Sequence, residues 1–181
     1  LPSLSLVKYV STLYNSLFFR YNYLMIIMSI DPGIDRMGYA LFDKKSSSDY
    51  TYLTSGLIQT EKKNAHEMRL LKIHSDLELL VNKYKPDSLI MERIFFFKNQ
   101  KTIVAVGQAQ GVIMLLAAQH NMPVIFMTPL EIKQIVTGYG QSDKKSVQKM
   151  LHMSLGLSVE LKQDDQADAI ACGYAYCCIN E

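Results

Sequence analysis

Apolar and polar positions in the first half of the chain follow the period of strands and then that of a helix. The run MIIMSI at Met25–Ile30 is apolar and ends at an Asp-Pro-Gly turn, which predicts a buried strand. Two further strands are predicted at Met37–Asp43 and Tyr50–Gln59. The loops between these strands are short, which favours antiparallel hairpins, because parallel neighbours need a long crossover. Helical spacing over Asn64–Lys85, stopped by Pro86, predicts the first helix.

The second half alternates strands with helices. A strand is predicted at Ser88–Glu92 and an apolar helix at Gln100–His120, and later elements are a strand at Pro123–Met127 and helices from Thr128 to about Gly138, over Ser142–Leu155 and over Asp165–Cys178. Thr128 begins its helix with an N-cap, a proline and a capping-box glutamate. The order β-β-β-α-β-α-β-α-α-α predicts one α/β domain over residues 25–181, with a mixed five-stranded sheet and helices on both faces.

Residues 1–24 differ in composition from the rest of the chain, because they carry Lys8 and Arg20 but no acid. Three interpretations are open: a targeting peptide, a membrane anchor, or upstream sequence read in frame before a true start at Met25. The longest uncharged run is shorter than the roughly 20 residues that a membrane span requires. We favour the third interpretation, because Met25 opens a core strand directly. We therefore expect residues 1–24 to lie outside the fold.

Composition and charge narrow the functional class. With 49% hydrophobic residues the chain is not disordered, and its three clustered cysteines form no disulfide framework, which indicates a reducing compartment. Charge is segregated: residues 93–149 hold seven basic and two acidic side chains, whereas residues 160–181 hold five acids and one lysine. Two solvated faces would explain this charge pattern alone, but it also fits an anionic partner bound beside a carboxylate-lined cation site.

Four acids are candidates for chemistry. Asp31 and Glu92 each end an apolar strand, and Asp165 and Asp168 share one face at the start of the last helix. Singly, each is explained as a turn residue, a solvated strand end or a helix N-terminal acid. Together they are expected at one edge of the sheet, where ligands of α/β proteins bind. Carboxylates without thiolates suit Mg²⁺ or Mn²⁺, and two such ions can drive phosphodiester hydrolysis.

Several motifs in order resemble one known family, the RuvC crossover-junction endodeoxyribonucleases of bacteria. The matching segments are Ile30-Asp31-Pro32-Gly33 with Gly38-Tyr39, Lys85-Pro86-Asp87 leading to Met91-Glu92, Phe95 with Lys98-Asn99, Gly107-Gln108-Ala109-Gln110-Gly111-Val112, Lys133-Gln134, Gly138-Tyr139-Gly140, Lys144, and Ala167-Asp168-Ala169-Ile170-Ala171. They run from about Met25 to Asn180, and their number and order make the resemblance specific.

The resemblance implies a ribonuclease-H-like fold in a cytoplasmic bacterial homodimer. Such an enzyme cuts two opposed strands of a four-way (Holliday) DNA junction symmetrically, in recombination and DNA repair, with the RuvA–RuvB branch-migration complex as a partner. The implied catalytic and metal-ligating residues are Asp31, Glu92, Asp165 and Asp168. They would hold two Mg²⁺ ions per subunit, for which Mn²⁺ could substitute. Asp31 and one C-terminal aspartate would hold one ion, and Asp31 and Glu92 the other. Asp164 competes with Asp165 for its role.

The resemblance also implies four DNA contacts, at Phe95, Lys98, Lys133 and Lys144. Phe95 would stack on a base unpaired at the crossover, and Lys133 and Lys144, expected at or near helix termini, would contact phosphates. Arg93 could pair with Glu92 or contact DNA, and this choice is open. The helix that carries Gly107 and Gly111 would contribute to the dimer contact.

Three other functions compete with this interpretation. An actin-like ATPase or kinase also begins with a strand, an aspartate and a glycine turn, but it needs a repeated domain and a second phosphate loop. A nuclease with the same fold could cut RNA or duplex DNA without junction selectivity. A junction-binding protein that has lost catalysis would lack a carboxylate, and the sequence retains all four.

Overall fold

The computed structural model describes residues 25–93, 100–157, 161 and 163–179, which form five strands and five helices. The strands are β1 (Met25–Asp31), β2 (Arg36–Lys44), β3 (Tyr50–Gln59), β4 (Ser88–Glu92) and β5 (Val124–Met127), and the helices are α1 (His66–Tyr84), α2 (Gln100–Gln119), α3 (Pro129–Thr137), α4 (Lys144–Leu155) and α5 (Asp164–Cys178). The predicted order is confirmed, with small differences at element ends. Residues 1–24, and with them the expected leader, lie outside the described residues, as do Phe95 and Lys98.

The sheet is mixed, as predicted, with strand order β3-β2-β1-β4-β5. The first three strands form antiparallel hairpins, and β4 and β5 run parallel to β1. Ile30 of β1 is in register with Met91 of β4. The next residue on each strand is an acid, so Asp31 and Glu92 end adjacent parallel strands at the same edge.

Helices cover both faces of this sheet, and each face has its own apolar core. Alternate residues of β1 serve the two cores: Met28 and Ile30 pack with α1 and α2, whereas Ile27 packs with α3, α4 and α5. This division follows from the pleat, which turns successive side chains to opposite faces. Among the described helices, none has the length and apolar character needed to cross a bilayer.

Helix α5 lies very close to the sheet because small residues form the contact. The buried Ser29 hydroxyl donates a hydrogen bond to the Ala169 carbonyl oxygen at 2.8 Å. A Cβ atom on Gly173 would lie 2.5 Å from the Phe42 ring, so only glycine permits this approach. At the other end of α5, the buried Lys44 ammonium donates to the Ile179 carbonyl oxygen at 2.8 Å. The helix is therefore fixed to β1 and β2 along its length.

Candidate active site

The pleat of the sheet places the two strand acids on the α5 face. Asp31 continues the side of β1 that carries Ile27 and Ser29, and Glu92 continues the side of β4 that carries Ile90. Because side chains alternate along a strand, both carboxylates project toward α5 and away from α1 and α2. The two acids therefore lie at the expected edge of the sheet and on the face that α5 covers.

The first turn of α5 carries the other two acids into the same place. A cleft of about 500 Å³ is lined by all four predicted carboxylates, those of Asp31, Glu92, Asp165 and Asp168. Asp165 keeps 24% of its side-chain surface exposed, whereas its competitor Asp164 is 61% exposed and does not line the cleft. The position in the cleft thus belongs to Asp165.

Burial and mutual repulsion perturb these carboxyl groups. Burial, with the nearby charges of Asp168, Glu92 and Asp165, raises the pKa of Asp31 to about 7. Burial also raises the pKa of Glu92 and of Asp168; Lys133 and then Lys144 offset part of the rise at Glu92, and Lys144 offsets part of it at Asp168. A carboxylate cluster that resists ionisation in this way favours a bound cation, which would relieve both desolvation and repulsion.

The basic side chain of Arg36 reaches an acid of α5. Arg36 Nε lies 2.8 Å from Asp165 Oδ2, and the same guanidinium donates to Gln163 Oε1 at 3.2 Å. Despite this proximity, Asp165 Oδ2 is buried and accepts no well-directed hydrogen bond from any described residue. Arg36 was not predicted from the sequence, although its place at the start of β2, just after the turn that follows Asp31, was a usable signal.

The donor set fits a hard divalent cation. All four side chains supply carboxylate oxygens, and the buried Asp165 Oδ2 has Arg36 Nε at 2.8 Å but accepts no well-directed hydrogen bond from a described residue. In the described part of the chain, no three or more His, Cys, Asp or Glu side chains converge closely enough to hold a metal ion as they stand. The acids therefore share a cleft, and a bound cation would have to draw them together.

A second cavity of about 220 Å³ adjoins the cleft and carries two predicted DNA contacts. Lys133 and Lys144 line it together with Glu92 and Asp168. Lys144 is the first residue of α4, as expected, but Lys133 lies in the middle of α3 rather than near its end. Arg93, whose role the sequence left open, lines the larger cleft beside the acids. Basic side chains and carboxylates therefore lie side by side on one surface.

The loop between α3 and α4 is held firmly and sets the position of Lys144. The Gln134 amide donates to the Gly138 carbonyl oxygen at 2.7 Å and accepts from the Gly140 amide at 3.0 Å. The Thr137 and Ser142 hydroxyls share a hydrogen bond at 2.7 Å. These contacts fix the relative placement of the two helices, and thus of the two lysines.

The turn after Asp31 is fixed in a similar way. The Thr60 hydroxyl donates to the Ile34 carbonyl oxygen at 2.6 Å, and the Thr60 amide donates to the Asp35 carbonyl oxygen at 3.1 Å. The Arg69 guanidinium donates to Thr60 Oγ1 at 2.8 Å and pairs with the Asp35 carboxylate. Asp31 is therefore held between its pairing with β2 and the fixed residues Ile34 and Asp35, which keeps its side chain in the cleft.

Known proteins resemble this chain over most of its length. The sequence profile of the family described as "Crossover junction endodeoxyribonuclease RuvC" matches residues 27–176. A RuvC crossover junction endodeoxyribonuclease of Caldicellulosiruptor saccharolyticus is 42% identical over 147 residues, which cover 81% of this chain and 89% of the relative. The enzyme of the same name from Pseudothermotoga lettingae is 39% identical over 155 residues, which cover 86% of this chain and 95% of the relative.

A solved structure shares the fold. It is that of T. thermophilus RuvC in complex with a Holliday junction substrate, which superimposes with a TM-score of 0.78 at 26% identity. The match covers 83% of this chain and 92% of the T. thermophilus chain. The predicted ribonuclease-H-like arrangement of sheet and helices is thereby confirmed.

Proposed function

The chain belongs to the RuvC family of crossover junction endodeoxyribonucleases, and from that membership we propose that it resolves four-way DNA junctions at the cleft lined by Asp31, Glu92, Asp165 and Asp168. It is a hydrolase that cuts phosphodiester bonds of DNA in recombination and repair. The observation that carries the assignment of the site is the meeting of all four carboxylates in one cleft, with two lysines at its border.

Each group has a role that follows from its place. Asp31 interacts with the whole acidic set, because its pKa is raised by burial and then by the charges of all three other acids. Glu92 and Asp168 line both the cleft and the adjoining cavity, so they stand between Asp31 and the lysines. Lys133 and Lys144 can hold a DNA phosphate beside the carboxylates.

The carboxylates would hold divalent cations, with Asp31 shared between Glu92 on one side and a C-terminal aspartate on the other. Two Mg²⁺ ions, or Mn²⁺ in their place, would supply activation of the attacking water and stabilisation of the leaving oxygen. The protein contributes a rigid frame, because β1, β4 and α5 are fixed by the register of the strands and by the Ser29 contact. Orientation of the phosphate by the two lysines would complete the site.

We further propose that the enzyme acts as a homodimer through one face of α2. Exposed residues at helical spacing form an apolar stripe, in which Val104 is 61% exposed and Met114 and Leu115 are about half exposed. A Cβ atom on Gly107 or on Gly111 would meet no described atom within 4 Å. A second copy could therefore approach closely here, and two active sites on one symmetric body suit paired cuts.

Two expectations rest on family membership alone. Phe95 and Lys98 would contact DNA at the crossover, and the RuvA–RuvB branch-migration complex would be a partner. Both are tested directly: substitution of Phe95 by alanine should reduce cleavage of junctions, and purified RuvA–RuvB from the same organism should retain the protein on a junction.

The decisive experiment compares cleavage of a synthetic four-way junction with cleavage of a linear duplex and of an RNA hairpin. Wild-type protein is assayed with Mg²⁺ and with EDTA, beside Asp31→Asn and Glu92→Gln. We expect paired, symmetric nicks on the junction only, which EDTA and either substitution abolish. Binding of the junction should persist in both variants, because phosphate contacts supply most of the affinity.

Each alternative has its own signature in this assay. Cutting of duplex or RNA at comparable rates would keep the chemistry and refute junction selectivity. Binding without cutting under every divalent metal would indicate a junction-binding protein that has lost catalysis. Cleavage retained by Asp31→Asn or Glu92→Gln would show that the reaction uses other residues.

A further inference from the structure

Lys144 holds two acids of α5 at once. Its Nζ atom lies 3.2 Å from Asp168 Oδ2 and 3.6 Å from Asp164 Oδ2. Asp168 lines the candidate metal cleft, whereas Asp164 is exposed and also accepts a hydrogen bond from Gln148. The ammonium therefore neutralises a carboxylate that the proposed function assigns to the metal.

The local position of this lysine is unfavourable for its own helix. Lys144 is the first residue of α4, and the positive end of a helix dipole disfavours a cation there. Asp143, the preceding residue, already caps the helix by accepting from the Ser146 amide at 2.8 Å. Lys144 is thus not required to begin α4, and the acids of α5 explain its place better than the helix does.

We propose that Lys144 serves as the counter-cation of the metal-free enzyme by forming an ion pair with Asp168. When a divalent cation binds that carboxylate, the ammonium is released and contacts a DNA phosphate. This inference rests on the proposed function of the cleft. It assigns Lys144 a positioning role that links metal loading to DNA binding.

The exchange follows from charge and from the freedom of the side chain. A divalent cation on Asp168 and an ammonium at 3.2 Å from the same carboxylate repel each other, most strongly where burial lowers the dielectric constant. The Lys144 side chain is 59% exposed, so it can leave without disturbing the core. Lys144 and Lys133 both line the adjoining cavity, so the released ammonium can contact a DNA phosphate bound there.

Linkage makes the consequence reciprocal. If a DNA phosphate draws Lys144 away from Asp168, the phosphate strengthens metal binding at the cleft. A divalent cation must then strengthen DNA binding by the same factor. Loss of Lys144 should therefore increase metal affinity in the absence of DNA and weaken the coupling between the two ligands.

Lys133 provides a matched control. It lines the same cavity and carries the same charge, but its ammonium forms no ion pair with a described carboxylate. Lys133→Met and Lys144→Met each remove one positive charge from the same surface. A general effect of net charge would alter metal affinity equally in both, whereas the ion pair predicts a difference.

The test titrates Mn²⁺ into full-length, metal-free protein without DNA and counts free Mn²⁺ by electron paramagnetic resonance. We expect Lys144→Met to bind Mn²⁺ about 3- to 10-fold more tightly than wild type, as an ion pair of this exposure allows. Lys133→Met should stay within about 2-fold of wild type, and Lys144→Arg, which keeps the charge, should remain close to it. Equal tightening by both methionine variants, or none by Lys144→Met, would overturn the proposal.

A second arm measures the coupling. Fluorescence anisotropy gives the affinity for a labelled four-way junction with and without Ca²⁺. We expect Ca²⁺ to increase the junction affinity of the wild type. The increase should be distinctly smaller in Lys144→Met than in Lys133→Met, and equal increases in the two variants would refute the link between metal and DNA binding. Asp31→Asn separates the two levels of inference, because Mn²⁺ binding that this substitution leaves unchanged would refute the metal cleft itself.

Discussion

Gly38 and Asp165 are in such close contact that a Cβ atom on the glycine would lie 1.8 Å from the Asp165 carbonyl oxygen. Gly38 is in register with Asp31 on the neighbouring strand. The backbone that begins α5 therefore rests on the residue directly opposite the central acid. The absence of a side chain at Gly38 therefore sets the distance between Asp31 and the acids of α5.

Gly38→Ala should consequently damage both stability and catalysis. The obstructing atom is backbone, so α5 must shift away from the sheet and carry Asp165 and Asp168 with it. We expect the variant to lose about 1–3 kcal/mol of unfolding free energy and at least about 10-fold in junction cleavage. Thermal denaturation and single-turnover cleavage measure the two effects.

The dimer face can be tested by placing a charge in its open centre. Gly111→Lys should leave the fold of each subunit intact, because the position faces open space in the described chain. In the dimer the same lysine would be buried without a partner, which is costly. Analytical ultracentrifugation should therefore show a monomer. Leu79→Lys, at a position 69% exposed on α1, should remain dimeric; a dimeric Gly111→Lys would place the interface elsewhere.

The raised pKa of Asp31 predicts how stability depends on pH. Burial and the neighbouring acids raise this pKa from 3.8 to about 7, so between these values the folded protein holds a proton that the unfolded chain has lost. The unfolding free energy then falls as pH rises through this window, by up to about 4 kcal/mol for this group. Asp31→Asn removes the penalty.

Metal-free Asp31→Asn should therefore melt above wild type at pH 8, with a smaller difference at pH 5. Differential scanning calorimetry in EDTA at several pH values measures this difference. Added Mg²⁺ should stabilise wild type at pH 8 far more than the variant, because ligand binding to the folded state raises its stability. A difference that does not change with pH would show that Asp31 is ionised throughout.

Removal of Lys133 should weaken DNA binding in a manner that salt reveals. A lysine that neutralises one phosphate contributes about 0.9 to the slope of log K against log salt concentration. Lys133→Met should make that slope less negative by about this amount. Anisotropy titrations of a labelled junction at several salt concentrations measure it. Lys83→Met, on helix α1 at the opposite face of the sheet from α5, should keep the wild-type slope.

Sequence patterns sufficed for the fold and for the acids of the site. Strands such as Ser88–Glu92 were bounded correctly because continuous apolar runs between turn signals leave one interpretation. The four acids that line the cleft were singled out because Asp31 and Glu92 end apolar strands, where a carboxylate is costly to desolvate, and because Asp165 and Asp168 share one face of the last helix. These signals are local, so they can be read without knowing the fold.

The relations between distant elements could not be read in the same way. The ion pairs of Arg36 with Asp165 and of Lys144 with Asp168 depend on how α5 docks on the sheet. That docking depends in turn on Gly38, Ser29 and Gly173; Gly38 belongs to a recognised motif, but nothing in the sequence indicates that it contacts Asp165. Lys133 was expected at or near a helix terminus, although the predicted helix already ran from Thr128 to about Gly138; it lies in the middle of α3.

The Ser29–Ala169 hydrogen bond joins residues 140 positions apart, and this separation has a consequence during synthesis. A nascent chain that ends before α5 can pair its first strands but contains neither Asp165 nor Asp168. It therefore lacks half of the acidic cleft. Truncated products of interrupted translation should therefore not cut DNA, so cleavage becomes possible only after the last helix has been synthesised.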